Sequence, residues 1–433
     1  MFKHLSTDEI FKKSIKIFAK AQKNSPFYRQ KYSKIKNLNS WAEIPFLTRD
    51  ELYKNTFPKT HDMLTSKPKG VLITSTGGSS GMARYGVVSY DEWKKFTDIQ
   101  AESLKMIGVE STDMVANLFV AGNLWPSFFA LQDVIKKTGA SHLPISANIE
   151  VKKILDYVVE FKPTVLLSLP TVFVFLADLV LEHKLDMSFV KIIAYAGEHM
   201  SDMIKSHLQK AFKNAKIYSL GYTSADCGLM GYQCSKCSPT HYHIPTDFQL
   251  IEIYDFEKNR LCQSGESGEI VVTNLARFSQ PIIRYRIGDM GKILPTTCSC
   301  GDENMVLSLE GRAGEDFKIG GAYISMNSVE NALKDFVSSD GISANYLFIL
   351  DDVDENRMDV ILRVESSDIK KSKPLANSIK EALKKEIDEL KVGEELNYIT
   401  TKVEFVEIGE LPRSPITGKI KHLSDLRVQR SIK

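Results

Sequence analysis

The middle of the chain alternates short apolar runs with longer amphipathic segments. The apolar runs predict strands at residues 113–119, 140–145, 164–170, 190–196 and 215–220. Between them, apolar positions recur at helical spacing and predict helices at residues 124–138, 151–161, 171–183 and 200–212. Strands of continuous apolar character that alternate with helices are typical of a parallel sheet. The predicted fold class is therefore α/β.

Glycine and polar residues directly follow several of these strands. Gly197 and Glu198 follow one strand, and Gly221, Tyr222 and Thr223 follow another. Ligands of parallel α/β sheets bind beyond the carboxyl ends of the strands. We therefore expect these loops to line one ligand site at the same edge of the sheet.

The pattern changes from residue 248 onwards. Apolar and polar positions alternate over residues 249–254 and 268–273, which predicts antiparallel strands in a β-rich subdomain. Residues 282–291 place two arginines and Asp289 around a glycine turn, either as a charged hairpin or as a binding cluster. Beyond residue 309, short strands and helices, including a Lys/Glu-rich helix at residues 373–390, predict a small separate α+β domain.

A stretch rich in glycine and hydroxyl side chains precedes the α/β region. After a predicted strand at residues 70–74, the chain continues as Ser75, Thr76, Gly77, Gly78, Ser79, Ser80 and Gly81. The backbone N–H groups of such a loop can form an anion-binding nest, and glycine allows close approach to phosphate. The stretch therefore predicts a triphosphate-binding loop, with a flexible loop as the alternative. It lacks the Gly-Lys-Ser/Thr of a Walker A loop, so a distant Lys or Arg and Mg²⁺ are expected to meet the phosphate charge.

Composition narrows the class of protein. Of the 433 residues, 43% are hydrophobic and 25% are charged, which is ordinary for a globular chain of about two or three domains. The formal net charge of +2 gives no reason to expect nucleic acid as a partner. No apolar run has the length of a membrane span, and residues 1–9 lack the apolar core of a signal peptide. We therefore expect a cytoplasmic protein with no membrane partner.

The cysteines cluster in one part of the chain. Four of the six form two close pairs, Cys234 with Cys237 and Cys298 with Cys300. In a reducing compartment, such spacing predicts a structural Zn²⁺ site with four protein ligands, in an insertion around residues 227–301. His241 or His243 can take the place of one cysteine, and free thiols are the alternative to a metal site.

Four motifs follow one another in a particular order. They are the loop at residues 75–81, Arg286-Ile287-Gly288-Asp289, Glu310-Gly311-Arg312, and Leu411-Pro412-Arg413 with Gly418-Lys419. This order resembles the adenylate-forming superfamily of acyl-CoA synthetases and adenylation domains, over nearly the whole chain. Residues 281–289 and the Cys-x-Cys-Gly at residues 298–301 are similar to its phenylacetate–CoA ligase and coenzyme F390 synthetase-like branch.

The resemblance implies a two-step reaction. A carboxylate attacks the α-phosphorus of ATP to give acyl-AMP and pyrophosphate, and a thiol, usually of coenzyme A, then displaces AMP. It implies a large N-terminal domain, residues 1–311, and a small mobile C-terminal domain, residues 312–433, that rotates between the two steps. A carrier-protein thiol or an amine is the alternative acceptor, and a nucleotide-binding module without catalysis is a further alternative. A homodimer is an expectation from the family alone.

The resemblance also implies a role for each site residue. The loop at residues 75–81 would hold the β- and γ-phosphates. The remaining roles are Asp289 for the ribose hydroxyls, Arg312 for the ribose–phosphate side, Tyr222 and Gly221 for the adenine, Thr223 for the α-phosphate, Gly197 and Glu198 for the adenine or acyl pocket, and Lys419 for the attacking carboxylate and the α-phosphate.

Several positions depart from the family pattern or leave the substrate open. Ser224 stands where a Mg²⁺-binding glutamate is usual, so Asp226 becomes the candidate Mg²⁺ ligand. Gly314 stands at the position of the domain pivot. The aromatic-rich residues 123–129 are a candidate wall of the acyl pocket, or plain core. An aromatic wall is compatible with an aryl or arylacetic acid, and a medium-length acyl chain would also pack there.

Overall fold

The structure is a computed structural model. It describes residues 4–36, 38, 40–75, 84–312, 317–319, 322–324, 326–338, 341–354, 357–413, 420 and 422–426. Thr76, Gly77, Gly78, Ser79, Ser80, Gly81, Gly314 and Lys419 were singled out in the sequence and lie outside the described residues.

The α-helices and strands of the described residues are numbered in chain order. The helices are α1 (Thr7–Asn24), α2 (Pro26–Lys31), α3 (Arg49–Lys54), α4 (Tyr90–Met106), α5 (Ser127–Thr138), α6 (Val151–Phe161), α7 (Pro170–Glu182), α8 (Asp202–Ala211), α9 (Met326–Leu333), α10 (Ile369–Ser372), α11 (Ala376–Glu386) and α12 (Asp388–Glu395). The strands are β1 (Val71–Ser75), β2 (Tyr85–Ser89), β3 (Met114–Asn117), β4 (Ser141–Leu143), β5 (Val165–Ser168), β6 (Ile192–Tyr195), β7 (Lys216–Ser219), β8 (Tyr222–Ser224), β9 (Gly228–Gly231), β10 (His241–His243), β11 (Gln249–Asp255), β12 (Arg260–Leu261), β13 (Gly268–Asn274), β14 (Tyr285–Ile293), β15 (Val306–Arg312), β16 (Phe317–Ile319), β17 (Ala322–Ile324), β18 (Ile342–Asp354), β19 (Arg357–Ser366), β20 (Ile399–Glu407) and β21 (Leu423–Asp425).

A five-stranded parallel sheet, in the order β4-β3-β5-β6-β7, confirms the predicted α/β class. All four residues of β5 and of β6 are buried. Successive side chains point to opposite faces, so Leu166 and Ile193 join one apolar cluster, whereas Val165 and Leu167 join another. Apolar residues on both faces explain why these strands read as continuous apolar runs.

The second sheet is antiparallel and has six strands, in the order β10-β15-β14-β13-β11-β12. The glycine turn expected within residues 282–291 is wrong, because β14 continues through it to Ile293. Gly288 has a φ of 85° and lies at a bulge in β14. Arg286 pairs with Val271 and Met290 pairs with Glu269, so three residues of β14 lie opposite a single residue of β13 between these pairs. A bulge of this kind redirects the strand without ending it.

The C-terminal part has its own four-stranded sheet, in the order β20-β19-β18-β21. The helix predicted over residues 373–390 is wrong as a single element. A 3-10 turn at Lys373–Leu375 comes first, and Ile387, whose backbone is extended, separates α11 from α12. The side chain of Ile387 is 1% exposed, so its burial in the core decides the break. The boundary predicted between residues 311 and 312 stays a prediction; β15 ends at Arg312.

The C-terminal part packs against helices α7 and α8. His207 of α8 lies between Asp178 and Ser338, with Nε2 2.8 Å from Asp178 Oδ1 and Nδ1 2.5 Å from Ser338 Oγ. Lys210 Nζ donates to the carbonyl of Val337 at 3.1 Å. Apolar residues of both parts also share one buried cluster. Within the residues that the structure describes, no helix combines the length and apolar character needed to span a bilayer.

Candidate active site

The loop after β6 is tied to the start of α7, as expected for strand ends that share one edge. Glu198 Oε2 accepts hydrogen bonds from the backbone N–H of Thr171 at 2.9 Å and from its hydroxyl at 2.8 Å. A carboxylate at this position satisfies an N–H in the first turn of α7 and interacts favourably with the helix dipole. Glu198 Oε1 is buried and receives no hydrogen bond from the described residues. The Glu198 carboxyl group therefore holds two strand-end loops together.

The hairpin of β8 and β9 carries the next group of predicted residues. Gly221 precedes it with a φ of 131°, and a Cβ there would lie 2.6 Å from Leu229 Cδ1 and 2.7 Å from the carbonyl oxygen of Gly231. Only glycine fits this backbone without a shift. The turn brings Tyr222 towards β14, where its hydroxyl donates to Asp289 Oδ2 at 2.5 Å. Thr223 follows in β8 and is half-buried.

Besides its predicted contact with the adenine, Tyr222 forms a buried hydrogen bond with Asp289. The side chain of Tyr222 is 9% exposed and that of Asp289 is 8% exposed. The Tyr222 ring also lies near Tyr242, with 6.1 Å between the ring centroids. The structure thus joins two segments that are 67 residues apart and that the sequence assigned to the adenine and the ribose.

Arg312 is the strand neighbour of Asp289. In the antiparallel pairing of β14 with β15, the Cα atoms of Asp289 and Arg312 are register partners. The two motifs assigned to the ribose are therefore neighbours across paired strands, although they are 23 positions apart in the chain (312 − 289).

Ser75 is the described residue of the predicted phosphate loop. It closes β1, its side chain is buried, and its backbone N–H donates to the carbonyl of Leu124 at 2.8 Å. The backbone N–H of Ser75 is therefore already hydrogen-bonded within the protein and does not face a phosphate. The rest of the loop lies outside the described residues, so its phosphate-binding role stays a prediction.

The structure does not favour Asp226 as a Mg²⁺ ligand. Asp226 Oδ2 lies 2.6 Å from Arg84 Nη2 and 3.1 Å from Arg84 Nε. Both side chains are largely buried, at 12% and 13% exposure. A cation at Asp226 would have to displace this guanidinium. The structure instead pairs Arg84, just after the predicted phosphate loop, with Asp226 in the turn between β8 and β9.

An apolar cavity of about 70 Å³ adjoins these segments. Its wall includes Thr74, Ser224, Ala225 and Arg277, together with the apolar residues Val88, Trp93, Phe96, Pro126, Phe248 and Ala276. Of the predicted wall at residues 123–129, Pro126 lines this cavity. Thr74 directly precedes Ser75, and Ser224 directly follows Thr223, so the cavity borders the predicted phosphate positions.

Arg277 and Glu92 at this cavity were not singled out in the sequence. Both are buried, at 6% and 8% exposure. Neither belongs to a motif, and an arginine after a strand usually lies at the surface. Cys227, which is also buried here, is no candidate nucleophile, because burial raises the pKa of its thiol to about 12.

The cysteines come together with a histidine. Cys234 Sγ lies 3.5 Å from Cys237 Sγ and 3.7 Å from Cys298 Sγ. These three thiols and one His243 ring nitrogen lie within 4.8 Å of one another. Cys300, the fourth cysteine of the prediction, is outside that set, although its Sγ is 3.5 Å from His243 Nε2. In a tetrahedral site, Zn–S bonds of about 2.3 Å put the sulfur atoms about 3.8 Å apart, so the donor set fits Zn²⁺.

Lys419 lies outside the described residues, and the described residues on either side of it are Arg413 and Ile420. Arg413 and Ile420 form an antiparallel bridge, and Ile420 is 7% exposed. The Arg413 guanidinium contacts Glu365 at 2.7 Å and lies over the Phe175 ring, 4.6 Å from its centroid. Phe175 belongs to α7, whose first turn holds Glu198. Arg413 is therefore anchored on a helix that begins at the candidate site.

Known AMP-binding enzymes are similar to this chain. The model of the AMP-binding enzyme family matches residues 65–277. The phenylacetate–coenzyme A ligase of Pseudomonas putida is 21% identical over 422 residues, which cover 94% of this chain and 91% of that protein. The phenylacetate–coenzyme A ligase of Aromatoleum evansii is 23% identical over 430 residues, with coverage of 94% and 91%.

Solved structures show the same fold. The crystal structure of 2-hydroxyisobutyryl-CoA ligase in the postadenylation state, in complex with 2-HIB-AMP, has a TM-score of 0.80 at 20% identity and covers 98% of this chain and 90% of that one. The same ligase in its thioesterification state has a TM-score of 0.66 at 19% identity, with coverage of 98% and 92%. Residues 65–277 match the AMP-binding enzyme family, and nearly the whole chain is similar to phenylacetate–coenzyme A ligases.

Proposed function

We propose that the protein is an AMP-forming acid–CoA ligase. It would activate a carboxylic acid with ATP, release pyrophosphate, and transfer the acyl group from acyl-AMP to the thiol of coenzyme A. Such a reaction depends on alignment and charge stabilisation more than on acid–base groups. A cytoplasmic location remains an expectation of the sequence, and a homodimer remains an expectation from the family resemblance.

The contact between Tyr222 and Asp289 is the observation that carries the proposal. It places the residue assigned to the adenine 2.5 Å from the carboxylate assigned to the ribose. Asp289 also pairs in register with Arg312, and the segment after Tyr222 continues to Ser224 at the cavity wall. Nucleotide and acyl positions would thus be neighbours, as attack of a carboxylate on the α-phosphorus requires.

The apolar cavity is the proposed acyl pocket. Trp93, Phe96 and Phe248 in its wall offer aromatic surface for an aryl or arylacetic acid. We propose that Mg²⁺ is bound mainly by the ATP phosphates and water, because Mg²⁺ usually keeps several water ligands. This arrangement does not require Asp226, which pairs with Arg84.

The test is carboxylate-dependent ATP–pyrophosphate exchange across aryl, arylacetic, amino and short-chain acids. We expect exchange with one class of acid, and a thioester when coenzyme A is added to that reaction. Exchange without a thioester would favour transfer to a carrier-protein thiol or an amine. Absence of exchange with every acid, in a protein that still binds ATP, would contradict the proposal and favour a nucleotide-binding module.

We further propose that Cys234, Cys237, Cys298 and either His243 or Cys300 hold a structural Zn²⁺. The Cys234–Cys237 pair lies just after β9, and Cys298 lies between β14 and β15, so a metal would link these segments. Four protein ligands leave no open position for catalysis. His243 Nδ1 is 3.4 Å from the carbonyl oxygen of Asn304, which leaves Nε2 facing the thiols.

Metal analysis of protein purified without chelator is expected to find about one zinc per chain. Cys234→Ser and Cys298→Ser should lose it, since each removes one ligand, whereas Cys262→Ser is the matched control and should retain it. Comparison of His243→Ala with Cys300→Ser would identify the fourth ligand by which variant loses zinc. Substoichiometric zinc in the unmodified protein would contradict the proposal.

A further inference from the structure

Arg277 is a buried cation in the wall of the apolar cavity. Its side chain follows β13, and the residue is 6% exposed. Nη1 donates to the backbone carbonyl of Asp226, and Nη2 donates to Gln280 Oε1 at 3.0 Å and to the backbone carbonyl of Val87 at 3.5 Å. Nε is buried and donates to no acceptor among the described residues. Since a guanidinium carries five N–H donors, these contacts leave part of its capacity unused.

No carboxylate of the described residues forms an ion pair with Arg277, because the two nearby acids are engaged elsewhere. Glu92 Oε1 accepts from the backbone N–H groups of Phe278 and Ser279, at 2.6 and 2.7 Å. The Asp226 carboxylate pairs with Arg84. Burial lowers the pKa of Arg277, which is the direction expected for a desolvated cation. A buried cation without a carboxylate in an ion pair is costly, so an oxygen acceptor that meets it on binding is favoured.

The cavity connects this cation with the reacting end of the site. Thr74 and Ser224 line it on the side of the predicted phosphate loop and of Thr223. An acid whose carboxylate attacks the α-phosphorus would extend from that side into the cavity, past Trp93 and Phe96. The remainder of such an acid would therefore approach the guanidinium of Arg277.

We infer that the acid carries a second oxygen acceptor, a hydroxyl, oxo or carboxylate group, that Arg277 binds. Arg277 is then a specificity-determining residue, and its hydrogen bond takes no part in the chemical steps. The inference rests on the proposed function, since it assigns the substrate class of the same site. A site built around a charged donor disfavours an analogue without the acceptor, because the donor is then left unpaired.

The experiment compares acids that differ by the acceptor alone. The pairs are the hydroxyphenylacetates with phenylacetate, 3-hydroxybutyrate with butyrate, and succinate with butyrate, with kcat/KM measured for thioester formation. We expect at least one pair to favour the acceptor-bearing acid by roughly 10- to 100-fold. In Arg277→Met, this ratio should fall to about one, because the donor is gone. The ratio is measured on one preparation, so the fraction of folded enzyme cancels.

Arg260→Met is the matched control. Arg260 pairs with Glu266, both 41% exposed, and is not part of the cavity wall, so its variant should keep the ratio of the unmodified enzyme. An unchanged ratio in Arg277→Met would overturn the inference. If that variant does not fold, the unmodified enzyme still tests the inference. The inference is overturned, and the proposed function kept, if in every pair the acid without the acceptor has an equal or higher kcat/KM. Exchange with none of the acids would instead overturn the proposed function and this inference together.

Discussion

Replacement of Lys419 with alanine is expected to lower carboxylate-dependent ATP–pyrophosphate exchange by roughly 100- to 1,000-fold. The lysine is assigned to the attacking carboxylate and the α-phosphate, where it would supply a point charge as the transition state forms. The described residue next to it in the chain is Ile420, which bridges to Arg413, and Arg413 lies over Phe175 of α7. The measurement is exchange at saturating ATP with the acid that the panel identifies.

Thioester formation from supplied acyl-AMP is the second readout for the same variant. The resemblance implies that the small domain carries Lys419 away before coenzyme A reacts, so this half-reaction should be nearly unchanged. Lys402→Ala is the matched control, because Lys402 lies on β20 of the same domain and pairs with Asp359 at its surface. Retention of exchange in Lys419→Ala would refute the assigned role. Equal loss in both half-reactions would indicate damage to the domain.

The parallel sheet could be predicted because its strands are buried on both faces. Continuous apolar runs such as Val165–Ser168 carry that information locally. The positions of the strand ends then predicted which loops would share an edge, and the structure ties Glu198 after β6 to Thr171 after β5. The motif order supplied the family, since no single motif is specific enough.

Other features depend on contacts that no local pattern encodes. The break at Ile387 follows from burial of that side chain within an otherwise helical segment. Gly288 was expected to turn the chain, whereas a glycine with positive φ also suits a bulge inside a strand. The buried position of Arg277 depends on packing between segments distant in sequence, and the pairing of Asp226 with Arg84 spans 142 positions.

Loss of the buried ion pair of Arg284 is expected to have the largest effect on stability. Arg284 is 1% exposed, and its Nε and Nη2 donate to the two carboxylate oxygens of Glu252 at 3.1 and 3.0 Å. Nη1 donates to the carbonyls of Ala42 and Ile44, so the side chain also fixes the N-terminal segment on the antiparallel sheet. Arg284→Met should lower the free energy of unfolding by about 3–5 kcal/mol, because it leaves a buried carboxylate unpaired.

The three tryptophans make the measurement report on the part of the chain that precedes residue 311. Trp41, Trp93 and Trp125 all precede residue 311, and Trp41 Nε1 donates to Glu252 Oε2 at 3.2 Å. Urea unfolding followed by tryptophan fluorescence therefore reports this part of the chain. Arg286→Met is the control from the same strand. Arg286 is 39% exposed in its pair with Glu269, so its loss should cost under about 1 kcal/mol.

The dependence on pH follows from Glu252. Burial raises the pKa of its carboxyl group even beside Arg284, and removal of that cation should raise it further. An acid whose pKa is higher in the folded state binds protons more readily there, so stability falls as the pH rises from the unfolded-state pKa through the folded-state pKa. The deficit of Arg284→Met in the free energy of unfolding should therefore be smallest in acid and grow towards neutral pH.

Arg284→Met combined with Glu252→Leu should recover much of the loss in the free energy of unfolding, because no buried carboxylate is then left unpaired. A double variant as unstable as the single one would exclude the unpaired carboxylate as the cause.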